Sequence, residues 1–501
     1  MKSLVAATVV VWALMSSAGW CQEAPLSDAT QECLGCHGSF HPGIVADWHA
    51  GRHAAVTPRA AMEVEEPARK VSSTSVPESL QGVAVGCAEC HTLRPEAHND
   101  TFEHNGYNVH VVVSPDDCRT CHATEVTQYA GNIMAHAYGN LADNTLYQQL
   151  QRTILGTPAL DHGRLKSAPE DADTKAEGCY YCHGTVLKVT ETEVRDTDAG
   201  ELEFPVIAGW PNQGVGRINP DGSLGACTAC HPRHSFSMEV ARKPHTCQEC
   251  HVGPDVPAYK VYISSKHGNI YASQHSAWDF QKTPWTIGQD FTAPTCAVCH
   301  ISLLTNTDGE IVNERSHEMK NRLSWRIFGL IYAHPQPKSP DTSIIRNKDG
   351  QPLPTDFNGG FASSFLISMD ERDARAATMQ ATCLGCHDSA WVQGHWQRFT
   401  NTIQQTNKSI LTLTDIMNEI WTRGYAKGLG QGENPFDEAI ERRWSDAWLF
   451  YANTVRFASA MAGGGDYGVF ADGRYQLTRT GAELEEWLDL HRTLEALAIK
   501  P

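Results

Sequence analysis

The spacing of apolar residues predicts long helices in the last hundred residues of the chain. The apolar positions that recur at helical intervals over 401–422 are Ile403, Ile410, Leu413, Ile416 and Ile420. Asn434 as N-cap and Pro435 at the first helical position predict a second helix that runs toward Met461 and ends at the glycines 463–465. A third helix is predicted over 480–497. Together these segments predict a C-terminal domain of long helices over 401–501.

The N-terminus has a different pattern. Lys2 is followed by an apolar run over 4–14 and by small residues up to Cys21. This order is typical of a secretory signal peptide, and we predict one over 1–21. No later apolar run reaches the about 18 residues that a membrane-spanning helix needs. The sequence therefore predicts export without a membrane span, to the periplasm or an equivalent compartment.

Residues 22–400 show shorter patterns, interrupted by Gly, Pro, Asn and Asp clusters such as 209–225. We expect this part to be mainly α, with almost no sheet. The net charge of −18 makes nucleic acid a poor partner. It suits a cationic, cytochrome c-like redox carrier.

The cysteines change the picture most. The chain has 17 Cys and 24 His, and all Cys except Cys21 fall into eight Cys-x-x-Cys-His motifs. Their spacing is irregular, which excludes a fixed-period repeat array. In chain order the motif residues are Cys33, Cys36 and His37; Cys87, Cys90 and His91; Cys118, Cys121 and His122; Cys179, Cys182 and His183; Cys227, Cys230 and His231; Cys247, Cys250 and His251; Cys296, Cys299 and His300; and Cys383, Cys386 and His387.

The motif has a specific chemical reason. Two thiols separated by two intervening residues can form thioethers with the two vinyl groups of one porphyrin, and the adjacent His can bind the iron. Zinc would need ligand pairs from two segments and would not require a His after each pair. We therefore predict a mainly α multiheme cytochrome c, with eight covalently bound hemes held by a core over 22–400.

Most of these irons need a second axial ligand, and His is the ligand expected for electron-transfer hemes. Sixteen His remain outside the motifs. The candidates are His41, His49, His53, His98, His104, His110, His136, His234, His245, His267, His275, His317, His334 and His395. From these we select His53, His110, His136, His234, His267, His317 and His395.

A longer pattern appears around the fifth and sixth motifs. The segment 214–223, Gly-Val-Gly-Arg-Ile-Asn-Pro-Asp-Gly-Ser, leads into Cys-Thr-Ala-Cys-His-Pro-Arg-His at 227–234. Gly-Pro-Asp at 253–255 and Tyr-Ala-Asn-Thr-Val-Arg at 451–456 follow. In these residues, and in the number and order of its motifs, the chain resembles the octaheme hydroxylamine oxidoreductase family. That family also includes hydrazine dehydrogenase and nitrite-reducing members.

The resemblance implies that the heme on Cys179, Cys182 and His183 is the catalytic one and that the other seven are bis-His carriers. It also implies a homotrimer in which a Tyr of the neighbouring subunit can cross-link to the catalytic heme. Tyr467 is the best candidate for this Tyr, and Tyr451 is the second.

The chain departs from the family beside the predicted catalytic heme. The family usually has Gly-Pro-Asp-His-Pro there, whereas this chain keeps Asp255 but has Val256 in place of the His. Oxidation of hydroxylamine requires a proton acceptor, and Val cannot serve as one. Either Asp255 acts alone, or Tyr332 or His334 substitutes, or the chemistry has changed.

Three hypotheses follow. The first is an enzyme that oxidises hydroxylamine or hydrazine, with Asp255 handling protons and a soluble carrier accepting electrons. The second is a nitrite-reducing enzyme that lacks the heme–Tyr cross-link. The third is a non-catalytic electron-transfer subunit of a larger complex.

Overall fold

The protein is described by a computed structural model that covers residues 24–461 and 467–498, with residues 164, 467 and 498 described by their backbone only. The predicted signal peptide over 1–21 and the predicted helix end at 463–465 lie outside the described residues.

Helices dominate this part of the chain. They are α1 Asp28–Phe40, α2 Pro42–His49, α3 Arg52–Ala55, α4 Pro58–Met62, α5 Glu78–Gln81, α6 Cys87–His91, α7 Pro115–Cys118, α8 Ala123–Ala130, α9 Ala137–Ala142, α10 Thr145–Leu155, α11 Ala172–Glu177, α12 Cys179–His183, α13 Met238–Arg242, α14 Pro244–Gln248, α15 Ala258–Ser264, α16 Lys266–Gln274, α17 Cys296–His300, α18 Met369–Leu384, α19 Ser389–Thr422, α20 Ala439–Asp446, α21 Ala452–Ala460 and α22 Asp472–Ala498. Short π-helical segments, Ala447–Tyr451 and Tyr467–Ala471, precede α21 and α22.

The strands form small, separate sheets. They are β1 Thr101–His104, β2 Tyr107–His110, β3 Thr157–Asp161, β4 Arg164–Ala168, β5 Lys188–Thr197, β6 Gly200–Ala208, β7 Trp285–Thr286, β8 Leu304–Thr305, β9 Ile311–Asn313, β10 Trp325–Arg326 and β11 His334–Pro335. Four antiparallel pairs are β1–β2, β3–β4, β5–β6 and β10–β11, and β8 joins β7 in parallel and β9 antiparallel. The fold is mostly helical, but the expectation of almost no sheet misses these hairpins.

The C-terminal helices pack around one large apolar cluster. Its fully buried members include Ile410, Met417, Trp444, Trp448 and Val455, which come from α19, α20, α21 and the π-helical turn before α21. Because the buried positions of α19 recur three and four residues apart, one face of this 34-residue helix is apolar.

The predicted helix starts need correction. The helix predicted over 401–422 begins at Ser389, where the Asp388 side chain accepts the backbone N–H of Trp391 at 2.9 Å. Asn434 closes a turn by accepting the N–H of Phe436 at 3.0 Å, and the second helix starts only at Ala439. The third predicted helix, over 480–497, begins earlier, at Asp472. Within the described residues, no helix is long and apolar enough to cross a membrane.

Candidate functional site

Each of the eight motifs lies in or beside a short helical turn. A helical turn places residues three and four apart on one face, so the two thiols and the His of a motif point to the same side. Helices α6, α12 and α17 consist of a motif alone. None of the sixteen described cysteines pairs in a disulfide.

Thiols of different motifs meet and connect the motifs in space. The contacts between sulfur atoms are Cys33 with Cys87, Cys118 with Cys227, Cys182 with Cys250 and Cys247 with Cys296. In three further pairs the charge of one thiolate raises the pKa of the other thiol: Cys121 acts on Cys90, Cys247 on Cys230 and Cys383 on Cys299. The motifs therefore follow the spatial order first, second, third, fifth, sixth, seventh and eighth, and the fourth branches from the sixth.

Four motif histidines face a second His ring at a separation that suits an iron between them. Two imidazoles on opposite sides of one metal have ring centres roughly 6 Å apart, since each metal–nitrogen bond is about 2 Å. The observed ring-centre distances are 6.1 Å for His37 and His104, 6.1 Å for His91 and His110, 6.3 Å for His122 and His53, and 6.2 Å for His387 and His267. These residues fit hemes with two His ligands.

Hydrogen bonds to backbone carbonyls orient two of the motif histidines for binding a metal through Nε2. The Nδ1–H groups of His91 and His183 donate to the carbonyl oxygens of His110 (2.8 Å) and Ala137 (3.2 Å). Metal-binding histidines usually donate their outer N–H in this way, which leaves Nε2 for the metal. The buried Nε2 of His110 has no hydrogen-bond partner, as expected for a nitrogen that would bind the second iron.

His98, a candidate that was not selected, lies against the ring of His110. Its ring stacks on His110 with centres 3.8 Å apart, but both its nitrogens are engaged, by Asp100 and Asp117. Burial opposes its charge, yet these two carboxylates raise the pKa of His98 to about 9. His98 is therefore a charged neighbour of His110.

The other selected histidines have varied surroundings. His317 lies near His231 and, after burial, is the largest cause that lowers the pKa of His231 to about 3. The Nε2–H of His136 donates to the Ala130 carbonyl oxygen at 3.0 Å, and His234 has a left-handed backbone. The ring of Trp391 stacks on both His387 and His395, so it lies beside each of them.

His104 is the pairing residue that the selection of seven omitted. It ends β1, and Asn105 and Gly106, both with positive φ, turn the chain into β2. The Asn-Gly pair is a strong hairpin signal that the sequence offered. The hairpin places His104 opposite His37.

The glycines of the segment 214–223 hold the fourth motif. A Cβ on Gly214 would lie 2.3 Å from the amide nitrogen of Gly184, and one on Gly216 would lie 2.6 Å from the His183 carbonyl oxygen. Only glycine permits this close backbone approach. The buried Arg217 secures the loop by donating to Asn219 at 2.7 Å.

Asp255 lies between the fourth and sixth motifs. Burial lowers the pKa of His183 and of His251, and the Asp255 carboxylate raises both. The Asp255 carbonyl oxygen accepts the side-chain N–H of the fully buried Asn453 at 3.1 Å. The retained Tyr-Ala-Asn-Thr-Val-Arg run thus contacts the retained Asp directly.

Val256 packs in an apolar cluster with Val261, Phe457 and Ala458. The position that carries a His in the resembling family is therefore part of an apolar contact between α15 and α21.

His334 is the stronger of the two possible substitutes for that His. It is 1% exposed, its Nδ1–H donates to the Pro335 carbonyl at 2.7 Å, and its Nε2 has no hydrogen-bond partner. Burial, followed by the charge of Arg326, lowers its pKa to about 3; Arg326 also lowers the pKa of His183. The Tyr332 hydroxyl, in contrast, is bound to the Phe357 carbonyl at 2.7 Å.

The two cross-link candidates lie near the ends of the C-terminal helices. Tyr451 ends a π-helical turn and packs against the large apolar cluster. The backbone of Tyr467 begins the π-helical turn before α22, and its side chain lies outside the described residues.

Comparisons with known proteins agree with the motif chemistry. A family described as "Seven times multi-haem cytochrome CxxCH" matches residues 219–328, and "Cytochrome c554 and c-prime" matches residues 117–203. A solved structure titled "Hypothetical multiheme protein" is 38% identical, covers 95% of this chain and 98% of its own, and superposes with a TM-score of 0.88.

Two further matches concern proteins of Kuenenia stuttgartiensis. One is a probable nitrite reductase-hydroxylamine oxidoreductase fusion protein, 25% identical over an alignment of 292 residues that covers 55% of this chain and 26% of the fusion protein. This chain thus spans about a quarter of that relative. The other is a reducing HAO-like protein complex with 16% identity and a TM-score of 0.59, over 93% of this chain and 87% of the other, and it shows a shared fold. The chain therefore belongs to the multiheme cytochromes c, and part of it is similar to the nitrite reductase-hydroxylamine oxidoreductase fusion protein.

Proposed function

We propose that this protein is an exported octaheme oxidoreductase that oxidises hydroxylamine, or the related hydrazine, at the heme of the fourth motif. The observation that carries this proposal is the position of Asp255, which acts electrostatically on His183 and is tied to Asn453. The similarity to the fusion protein supports redox chemistry on nitrogen compounds.

The residues that would hold the hemes follow from the ring pairs. His104, His110, His53 and His267 would be the second ligands at the first, second, third and eighth motifs, and His317 is the candidate for the fifth. When bound, the hemes supply an open iron for the substrate at the fourth motif and an electron path through the others.

Protein groups near the fourth motif would handle the protons. Each electron that leaves hydroxylamine is accompanied by a proton, so an acceptor must lie within reach of the substrate. Asp255 is the first candidate. His334 is the second, because its Nε2 has no hydrogen-bond partner and is a neutral acceptor. The charge of Arg326 lowers the pKa of both His334 and His183, so Arg326 lies near both rings.

Substitution of the two acceptors tests this role. Hydroxylamine should reduce the hemes of the wild-type protein, and Asp255→Asn should slow that reduction by about a hundredfold, the usual contribution of one general base. Asp308→Asn, in an exposed turn, is the control and should not change the rate. An Asp255→Asn rate equal to wild type would contradict the assignment. If only His334→Gln is slow, His334 is the base instead.

Nitrite reduction is the second candidate function. Val256, which replaces the usual His with an apolar contact, favours it, as does the fold shared with a reducing HAO-like complex.

The optical spectrum of the dithionite-reduced protein separates the candidates. A red-shifted band that peroxide bleaches would indicate a Tyr-modified heme, through Tyr467 or Tyr451, and would favour oxidation. If that band is absent and nitrite reoxidises the reduced hemes, the protein is a reductase. If nitrite causes no reoxidation, it is an electron-transfer subunit.

We further propose that residues 22–400 hold the hemes and that the helical part 401–501 packs the subunits of a homotrimer. In the chain itself the two parts are joined by α19, which starts two residues after His387.

A further inference from the structure

The two ends of the motif series reach the surface. Among the described motif cysteines, Cys36 of the first motif and Cys386 of the eighth are exposed, and the others are only partly so. These two ends are where a protein that exchanges electrons with this chain can approach the series most closely, because their thiols are the most exposed of the described motif cysteines.

The surface around Cys36 has an apolar centre. Phe40, in the same helix, is 46% exposed, and Ile44, in α2, is 44% exposed. Single exposed apolar residues are common, but these two follow an exposed heme attachment within eight residues of the chain. Protein interfaces typically place such residues at the centre of a polar rim.

The rim of this surface is acidic. Residues 24–51 contain no Lys or Arg, and Asp28, Glu32 and Asp47 are exposed there. The β1–β2 hairpin, which supplies His104, also lacks Lys and Arg and exposes Glu103.

A long hairpin extends this acidic rim. Phe204 of β6 packs against Phe102, with ring centres 5.6 Å apart, and lies 6.5 Å from His104. Strands β5 and β6 and their turn carry six carboxylates and two basic residues; the carboxylates are Glu191, Glu193, Asp196, Asp198, Glu201 and Glu203. One of the two basic residues, Arg195, is paired with Glu193 and stacks on Phe204.

The other exposed end differs. Helix α18, which leads to Cys386, alternates acidic and basic residues, and Arg375 pairs with Glu371 there. Its charges largely cancel, so it offers no comparable attraction to a charged partner.

We propose that the acidic face around the first motif, formed by residues 28–47, the β1–β2 hairpin and the β5–β6 hairpin, docks a positively charged one-electron carrier protein. Cys33, Cys36 and His37 would hold the first heme, and that heme would supply one electron to the oxidised carrier, which would be reduced by one electron. No bond forms or breaks. The direction of transfer rests on the proposed function, whereas the docking does not.

Binding of a basic cytochrome c of the mitochondrial type to the purified holoprotein tests the proposal. A triple variant, Glu191→Gln, Asp196→Asn and Glu201→Gln, removes three charges from the hairpin. We expect its Kd for this cytochrome to rise about tenfold at low ionic strength and its salt dependence to weaken, because rim charges steer association. Heme content and circular dichroism should stay unchanged.

The matched control removes three charges at the other end, with Asp370→Asn, Glu371→Gln and Asp373→Asn. Its Kd should equal that of the wild type. An unchanged Kd in the hairpin variant, or an equal loss in the control, would overturn the proposal. So would sedimentation showing that the hairpin variant loses self-association but keeps carrier binding, because the face would then contact a second copy. These measurements use no substrate, so they are independent of whether hydroxylamine is oxidised.

Discussion

Single buried ionisable groups affect the stability of this protein, and Glu441, in the C-terminal helices, is an example. Its side chain is fully buried, and its two oxygens accept the indole N–H of Trp421 at 2.7 Å and the backbone N–H of Glu438 at 3.0 Å. Burial raises its pKa from 4.5 to about 7 despite these bonds. A protonated Glu441 is therefore the form that the fold prefers.

The raised pKa of Glu441 predicts a pH-dependent stability. The folded protein holds a proton that the unfolded chain has released, so the contribution is complete below pH 4.5 and is lost as pH rises to about 7. The loss amounts to at most about 3 kcal/mol. Glu441→Gln should match the wild type near pH 5 and exceed its thermal stability near pH 8, by circular dichroism. Parallel pH profiles for the two proteins would show that Glu441 is ionised in the fold.

The histidines show what the sequence could not predict at this scale. The motifs identify every predicted attachment residue, because attachment depends on the spacing of two thiols and an imidazole along the chain. The second ligands are different. The selection from the sequence kept His110 and omitted His104, although both lie in one hairpin and each faces a motif His.

At the scale of elements, the C-terminal helices reach into the candidate active site. Asn453 of α21 donates to the Asp255 carbonyl and accepts from the buried Arg456 at 3.2 Å, and Arg456 donates to Asn407 of α19 at 2.8 Å. Asn407 in turn holds both backbone groups of Ala333, the residue before His334. Two helices thus position both candidate proton acceptors.

Asn453→Ala should therefore affect stability and activity together. It leaves a buried carbonyl and a buried guanidinium short of a partner, which costs about 1–3 kcal/mol. We expect a lower unfolding temperature and slower heme reduction by hydroxylamine, with an unchanged heme content. Asn401→Ala, at an exposed position of α19, is the control. If Asn453→Ala lowers stability but leaves the reduction rate intact, the helix contact does not position Asp255.

Apolar periodicity predicted the existence of these helices well and their starts poorly. Helix α19 begins at Ser389 because Asp388 caps it and because Trp391, His395 and Phe399 stack along one face. Because this face includes a His between its aromatic residues, the sequence there does not show the apolar periodicity of a helix that packs on an apolar core. The hairpins were missed because their strands are largely exposed and so lack a regular alternation of buried apolar side chains.

At the scale of the whole molecule, the motif series organises the chain. Seven motifs follow one another through neighbouring thiols, and the fourth joins this series only through the sixth. A branch position suits a reacting site that delivers electrons to a common path. The large apolar cluster takes most of its members from the C-terminal part and a few, such as Leu146, Leu150 and Leu353, from the motif-bearing part, which carries the eight attachment motifs.

The most direct test of the central claim is the number of carbon monoxide molecules that the fully reduced holoprotein binds per chain, measured together with its heme content. Carbon monoxide binds only irons that lack a strong second ligand. Eight motifs and one open site predict one bound molecule for every eight hemes, and Asp255→Asn should leave that number unchanged. No binding would contradict the claim and would mean that every iron has two protein ligands.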